Sequence, residues 1–276
     1  MERIVILAPA LVPVAYFLVA LAIYSGLCLI GQRPYTGETR KHSRFFYFFI
    51  DYFIWILRPI ERAVLKNPRL TPNHLTFTSL AACASAGLAI GLNHMATAGW
   101  LYIFAGALDI LDGRVARATN RQSKAGAFLD SVTDRWGELF VFSGFAWFLH
   151  GSPWLMAVML AITGSLMVSY TRARGEALGI ALDGGNMQRA ERIALVSIGT
   201  LITAWFNAAH DTEEYGIHVI GVSMLIVGVG SATTAISRWV QGYRILRERE
   251  EGRQGSASAS SSHRPAEASS GRRTIR

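Results

Sequence analysis

The sequence predicts an all-α, polytopic integral membrane protein: a bundle of six transmembrane helices, preceded by an extra N-terminal transmembrane helix and an interfacial amphipathic helix. Composition is the first reason, because 51% of the 276 residues are hydrophobic, only 17% are charged, and the mean hydropathy is +0.28. This is too apolar for a soluble domain of this length. The second reason is that the apolar residues gather in runs of roughly 20, the length of a membrane-spanning helix.

Seven apolar runs are long enough to cross a bilayer, at about residues 4–31, 75–93, 97–112, 127–149, 153–171, 190–208 and 217–240. The third run is short and ends in Asp109 and Asp112, so we expect its inner end to be buried in protein. The opening run is longer than the apolar core of a cleaved signal peptide, which favours a retained helix. Cys28 and Cys83 both fall inside predicted spans, so no disulfide is expected.

Residues 41–70 mix aromatic and charged side chains. This composition favours a helix lying on the membrane surface, broken near Pro59 and ended before Pro68; an ordinary lipid-facing or core helix is the alternative. After the last span the chain is rich in Ser, Ala and Gly, which predicts disorder. The predicted organisation is an extra helix and connector at 1–40, the interfacial helix at 41–70, a six-helix domain at 71–248 and a disordered tail at 249–276.

Basic residues in alternate connectors predict the orientation. Arg and Lys concentrate between the first two spans, after Asp112 and after the last span, whereas the alternate connectors at 93–99 and 151–153 are uncharged and the one at 210–215 is acidic. The positive-inside rule then places the N-terminus outside, the C-terminus inside and the basic connectors in the cytoplasm. The net charge of +8 fits the anionic leaflet of a cell (inner) membrane and not a nucleic acid, because these residues flank the spans.

Four aspartates interrupt this apolar pattern. A carboxylate at membrane depth costs about 3 kcal/mol on insertion scales unless it faces a cavity, a partner or a metal. Asp109 and Asp112 are three residues apart, and Asp130 and Asp134 are four apart, so each pair lies on one face of its helix. Carboxylate oxygens suit Mg²⁺ or Mn²⁺, and paired carboxylates can hold two such ions for phosphoryl transfer. Zinc is disfavoured because the segment has neither Cys nor His.

The whole segment reads Asp109-x2-Asp112-Gly113-x2-Ala116-Arg117-x8-Gly126-x3-Asp130-x3-Asp134. In this pattern the chain resembles the CDP-alcohol phosphotransferase family, integral membrane enzymes of phospholipid synthesis, over residues 59–244. The resemblance implies a phosphotransferase with a CDP-activated lipid as donor and CMP as leaving group. It implies that Asp109, Asp112 and Asp130 bind metal, and that Asp134 is the general base while also touching a metal. It also implies a homodimer.

The nucleotide side of the site is implied by the same motif and by the Pro72-Asn73-x2-Thr76 entry to the second predicted span. The residues expected to bind CDP are Asn73, Thr76, Asp112, Gly113, Ala116, Arg117 and Gly126. Small residues let backbone and nucleotide approach closely, and an arginine suits a diphosphate. Helix packing is the alternative for the glycines. Helix capping is the alternative for Asn73 and Thr76.

The acceptor is indicated by residues outside the motif. The stretch from Ser169 to Arg192 resembles the inositol-phosphate-accepting branch of the family, which implies CDP-diacylglycerol as donor and inositol phosphate as acceptor. Four basic residues are expected to bind the acceptor's phosphate: Arg172, Arg174, Arg192 and Arg238. Their alternative role is positive-inside anchoring. Ala125 and residues 136–138 depart from the usual pattern, so free inositol and glycerol 3-phosphate remain alternative acceptors, and a cation-binding scaffold or transporter is the alternative class.

Overall fold

The protein is helical throughout the part of the chain that the computed structural model describes, which is residues 2–30, 44–67, 69–182, 184–210, 212 and 214–262. No strand occurs among these residues, which confirms the predicted all-α class. The helices are α1 (Glu2–Leu29), α2 (Arg44–Leu65), α3 (Pro72–Gly91), α4 (Met95–Ala118), α5 (Lys124–Phe148), α6 (Leu155–Ala177), α7 (Arg189–His210) and α8 (Glu214–Ser262).

Five of these helices, namely α3, α4, α6, α7 and the first 39 residues of α8, are long and apolar enough to cross a membrane. The protein is therefore a multi-pass membrane protein. The run predicted at 127–149 is the helix α5, whose 25 residues include Asp130, Asp134 and Glu138, so its length suits a span although its charge is high for one. In α1 the apolar stretch within the described side chains is shorter, Ala15–Leu29.

Helices α3 to α8 form the bundle. Helix α3 packs against α4 and α5, α7 packs against α4 and α8, and α6 packs against α8. The contact between α3 and α5 is close because it is made by glycines: a Cβ on Gly144 would meet the backbone of Gly87, and one on Gly87 would meet the carbonyl of Phe140. Small residues at such crossings let membrane helices approach backbone to backbone. This contact holds α3 close against α5, the helix that carries Asp130 and Asp134.

The helix starts beside the site are capped by their own side chains. Thr71 is the N-cap of α3 and forms a capping box with His74, in which each side chain bonds the other's backbone N–H. Ser123 is the N-cap of α5, and its hydroxyl accepts a hydrogen bond of 3.0 Å from the backbone N–H of Gly126. These caps hold the first turns of α3 and α5 in place.

Helices α1 and α2 pack on the bundle through aromatic residues. Tyr24 of α1 is fully buried against Tyr52 and Trp55 of α2, and the Tyr52 hydroxyl donates to the carbonyl of Phe17. Phe17 stacks on Trp100 of α4 with ring centroids 5.8 Å apart. The extra N-terminal helix is thus attached to the bundle by ring contacts.

Three sequence predictions differ from the structure at helix ends. Helix α2 is continuous through Pro59, so the predicted break is wrong; an ion pair of 2.9 Å between Glu61 and Arg114 of α4 holds its last turns in place. Helix α4 continues beyond the predicted apolar run at 97–112 to Ala118, so the helix is longer than that run. Helix α8 extends to Ser262, where disorder was predicted from 249, and the i,i+4 pair Arg247–Glu251 supports it. Residues 263–276 lie outside the described part.

Candidate active site

Three of the four aspartates come together. Asp109 and Asp112 on α4 and Asp130 on α5 each present a carboxylate oxygen, and these oxygens lie within 4.8 Å of one another. Asp112 is buried and the other two are partly buried. A set made entirely of carboxylate oxygens matches the preference of hard divalent cations such as Mg²⁺ and Mn²⁺. The structure thus brings together the three residues expected to bind metal.

Asp134 lies beside this group, paired with an arginine that sequence reasoning did not single out. Arg189, the first residue of α7, places Nη1 2.5 Å from Oδ2 of Asp109 and Nη2 2.9 Å from Oδ1 of Asp134. One guanidinium therefore bridges a carboxylate expected to bind metal and the expected general base. The three side chains are 25%, 22% and 18% exposed, so water screens these charges only in part.

Thr76 lies directly behind the metal group. Its hydroxyl is buried and donates a hydrogen bond of 2.6 Å to Oδ2 of Asp112. The prediction placed Thr76 in the nucleotide pocket, with helix capping as the alternative; the structure shows that Thr71 is the cap and that Thr76 orients a carboxylate. Asn73, also expected at the nucleotide, lies exposed in the first turn of α3.

The two glycines of the motif do not pack against another helix in this structure. A Cβ on Gly113 would meet only Nη1 of Arg117 at 3.5 Å, and one on Gly126 would meet only the Ser123 hydroxyl at 3.1 Å, among the described residues. The helix-packing alternative is therefore not supported at either position. Arg117 is exposed and Ala116 partly exposed in the last turn of α4, which leaves this face accessible to a nucleotide.

A narrow cleft, too tight to admit a water molecule, lies beside the aspartates. Its walls come from four helices, and Arg189 lies among its lining side chains. The lining residues are Thr76, Ser79, Leu80, Cys83, Asp109, Thr133, Asp134 and Arg189. The expected base and one carboxylate expected to bind metal thus line the same cleft.

The four arginines expected at the acceptor's phosphate do not form one open pocket. Arg192 is 2% exposed, and its Nε and Nη2 lie 2.5 and 3.2 Å from the carboxylate oxygens of Glu138. Glu138 also accepts a hydrogen bond of 2.5 Å from the hydroxyl of Ser165. Arg192 thus holds α7 to α5, a structural contact that the sequence prediction did not include.

Arg238 is also buried and bonded to the protein, at 3% exposure. Its guanidinium donates 2.8 Å and 2.9 Å hydrogen bonds to the carbonyls of Gly184 and Val168, which tie α8 to the α6–α7 connector and to α6. Arg172 and Arg174 are exposed at the end of α6, and Arg172 pairs with Glu176 at 2.9 Å. Two of the predicted four are therefore accessible to a ligand, and two are held by the protein.

Three contributors to the site were not predicted from the sequence: Arg189, Glu138 and Ser165. Arg189 stands three residues before Arg192, so both begin α7 on one face, and this spacing was the available signal. Glu138 follows Asp134 by four residues and therefore continues the aspartate face of α5. Nothing in the sequence around Ser165 distinguishes it from other small polar residues of membrane helices.

Comparison with known proteins now identifies the family. The sequence model of the CDP-alcohol phosphatidyltransferase family matches residues 69–237, and the chain belongs to this family. The match contains the four aspartates, Thr76 and Arg189. The protein is a transferase of a family that uses divalent metal, and its aspartate cluster offers oxygen ligands for such an ion. The alternative class, a scaffold or transporter, is thereby set aside.

Individual relatives are more specific than the family model, because several carry the name of a particular reaction product. A phosphatidylinositol phosphate synthase of Corynebacterium glutamicum is 30% identical over 198 residues, covering 67% of this chain and 83% of the relative. An archaetidylinositol phosphate synthase of Methanothermobacter thermautotrophicus is 41% identical over 166 residues, covering 58% of this chain and 83% of the relative. Among solved structures, the phosphatidylinositol phosphate synthase of Mycobacterium tuberculosis with CDP-DAG bound has a TM-score of 0.58 at 27% identity, covering 68% of this chain and 94% of that one.

A second crystal structure of the same mycobacterial enzyme is a complex with manganese and citrate. It is 27% identical, has a TM-score of 0.58, and covers 67% of this chain and 88% of that one. Its manganese agrees with the all-oxygen donor set of Asp109, Asp112 and Asp130 in the present chain.

Proposed function

We propose that this protein transfers the phosphatidyl group of CDP-diacylglycerol to inositol phosphate and releases CMP. The observation that carries this proposal is the group of three carboxylates beside Asp134 and Arg189, in a chain of the CDP-alcohol phosphatidyltransferase family. The acceptor is supported by relatives, since the curated proteins described above are named for phosphorylated inositol products. The mycobacterial structure with CDP-DAG supports the donor.

The chemistry follows from the positions of the chain's own residues. Asp109, Asp112 and Asp130 hold divalent metal, which neutralises the diphosphate and stabilises the departing CMP oxygen. Asp134 takes the proton of the acceptor hydroxyl, whose oxygen forms a new bond to the phosphatidyl phosphorus. The bond between that phosphorus and CMP breaks, and CMP leaves with the electron pair. We propose two metal ions, with Asp134 also contacting one of them.

On the donor side, the accessible face of α4 beyond Asp112 supports the nucleotide assignment. Gly113 and Gly126 leave room for close approach, and Arg117 is exposed for contact with the diphosphate. Asn73 and Ala116 complete this proposed surface. Thr76 contributes through Asp112, whose carboxylate it orients, and this makes it a positioning residue.

On the acceptor side, we propose that Arg172 and Arg174 contact the phosphate of inositol phosphate directly, because both are exposed at the end of α6. Arg192 and Arg238 act through their structural bonds, since buried guanidiniums with carboxylate and carbonyl partners hold α7, α8 and the connector in place. A planar guanidinium can hold two phosphate oxygens, which suits the exposed pair to this task.

The membrane placement of the proposed enzyme follows its basic connectors. The last turns of α4 and α6 carry exposed arginines, namely Arg117, Arg172 and Arg174. The positive-inside rule places these helix ends in the cytoplasm. We therefore propose a cell-membrane enzyme with its site facing the cytoplasm, its N-terminus outside and its C-terminus inside. The amphipathic α2 lies on the cytoplasmic leaflet in this arrangement, and the working unit is a homodimer.

The acceptor is tested with the purified full-length protein in lipid, supplied with Mn²⁺, CDP-diacylglycerol and one acceptor at a time. We expect CMP release with inositol phosphate, and far less with free inositol or glycerol 3-phosphate. A matched reaction without divalent metal serves as the blank. CMP release with glycerol 3-phosphate but not with inositol phosphate would overturn the acceptor assignment while leaving the reaction class intact.

A further inference from the structure

The guanidinium of Arg189 lies between the carboxylates of Asp109 and Asp134. Its two terminal nitrogens contact carboxylates from different helices, Asp109 of α4 at 2.5 Å and Asp134 of α5 at 2.9 Å. Both contacts are short enough for charge-assisted hydrogen bonds. Arg189 also lines the narrow cleft between these helices. The geometry therefore makes Arg189 a counter-ion inside the site, tied to two of its acids at once.

Asp109 belongs to two groups at the same time. It contributes an oxygen to the three-carboxylate cluster, and its Oδ2 is bonded to Arg189. A divalent cation and a guanidinium at the same carboxylate repel each other, at about 4 kcal/mol per unit charge for 4 Å at an effective dielectric of 20. Metal binding and the Arg189 contact therefore oppose each other at Asp109.

The start of α7 is fixed independently of Arg189. Arg192, three residues further along α7, is bonded to Glu138 of α5 through two nitrogens, and its Nη1 donates to the carbonyl of Met187 at 3.2 Å. These bonds hold the start of the helix without a contribution from the Arg189 side chain, which is 25% exposed. The long side chain can thus leave the two aspartates without a rearrangement of the bundle.

From these contacts we infer that Arg189 is an internal competitor of the divalent metal: it neutralises Asp109 and Asp134 in the metal-free protein and is displaced from them when metal binds. The inference rests on the proposed function, which supplies the metal. It makes Arg189 a positioning residue that keeps the two carboxylates in place before loading and sets the metal concentration at which the site fills. A supporting role, in which Arg189 orients the ligands for metal, predicts the opposite effect of its removal.

The test measures Mn²⁺ binding to the purified full-length protein without substrate. Binding is monitored by the loss of the free Mn²⁺ signal in electron paramagnetic resonance. We expect Arg189→Gln to bind Mn²⁺ about tenfold more tightly than wild type, within the usual range of coupling between two ligands. Without metal, Arg189→Gln unfolds at a lower temperature because Asp109 and Asp134 lose their counter-ion, and Mn²⁺ raises its unfolding temperature more than that of wild type. Equal or weaker Mn²⁺ binding overturns the inference.

Two further variants keep the test decisive. Arg189→Lys retains one charge but cannot bridge two carboxylates with a planar fork, so we expect a smaller gain in Mn²⁺ affinity and a protein that folds even if Arg189→Gln does not. Arg247→Gln removes an exposed arginine paired with Glu251 on α8, and its Mn²⁺ affinity should match wild type. An equal gain in Arg247→Gln would show a general charge effect and overturn the inference.

Failure of the inference and failure of the proposed function give different results. Wild-type protein that takes up no Mn²⁺ overturns the metal-dependent function and the inference with it. Wild-type protein that takes up Mn²⁺, with no gain in affinity in Arg189→Gln, overturns the inference alone.

Discussion

At the scale of single residues, the four aspartates of one motif have different surroundings and therefore different roles. Asp112 is 6% exposed and bonded to Thr76, which fixes its orientation. Asp109 belongs both to the carboxylate cluster and to the contact with Arg189, whereas Asp134 lies outside the cluster and is held by Arg189. Asp112 is therefore fixed by a hydroxyl behind it, whereas Asp134 is held by a charged partner in front of the cluster.

Replacing Asp134 by Asn removes the proposed base with little change in size. We expect turnover to fall about 100-fold or more, as is typical for loss of a general base, while CDP-diacylglycerol still binds. CMP release and the lipid-induced rise in unfolding temperature measure the two effects. Glu251→Gln, on an exposed pair of α8, is the charge-matched control. Undiminished turnover in Asp134→Asn would remove the base assignment.

Thr76→Val removes a hydroxyl of nearly the same shape and leaves Asp112 without its 2.6 Å donor. Partners behind a metal ligand typically contribute 10- to 100-fold, so we expect Mn²⁺ affinity to fall by about that factor. Thr78→Val is the matched control, because Thr78 lies exposed on the same helix and donates to the backbone of His74. An equal loss of Mn²⁺ affinity in the two variants would show that the hydroxyl of Thr76 does not position Asp112 for metal binding.

At the scale of elements, α3 is the helix that places the two aspartate pairs. It packs against both α4 and α5, which carry the pairs. Its Ser79 hydroxyl donates to the carbonyl of Ala105 on α4 at 2.9 Å, and its Gly87 meets α5 backbone to backbone. The spacing of the carboxylates therefore depends on how closely α3 approaches both neighbours.

A Gly87→Ala substitution should disturb this contact, because the new methyl would meet the carbonyl group of Phe140. Overpacking of this kind costs about 1–3 kcal/mol, so the unfolding temperature in detergent should fall and turnover with it. Gly91→Ala on the same helix is the control, since its methyl would meet a side-chain carbon of Trp147 at an ordinary 3.4 Å. An unchanged unfolding temperature in Gly87→Ala would contradict the contact.

At the scale of the whole molecule, buried polar bonds join helices that are distant in sequence. Glu138 of α5, Ser165 of α6 and Arg192 of α7 form one network, and Arg238 joins α8 to α6 and to the connector before α7. A buried pair of charges adds little net stability by itself, but losing one partner leaves the other uncompensated. The network therefore penalises any arrangement in which α5, α6 and α7 fail to meet.

Arg192→Met should consequently destabilise the fold by about 3–5 kcal/mol, and Glu138→Leu by a similar amount. The double variant should lose less than the sum, because neither charge is then left unpaired. Unfolding temperatures of the four proteins measure this coupling. Arg172→Met is the comparison: its side chain is 52% exposed, so we expect stability near wild type and a raised KM for inositol phosphate. Wild-type stability in Arg192→Met would favour direct phosphate contact instead.

The sequence by itself determined the class of fold, the family and which carboxylates are proposed to react. Hydropathy predicts the helices because, in lipid, backbone N–H and C=O groups must form their hydrogen bonds within each helix. The three-residue spacing of Asp109 and Asp112 predicts that both lie on the same face of one helix. The Arg189 bridge and the Arg192–Glu138 pair depended on tertiary structure, because they join residues 54 or more positions apart only once α7 packs beside α4 and α5. Sequence spacing describes one helix at a time, whereas the partner of a buried charge is chosen by the packing between helices.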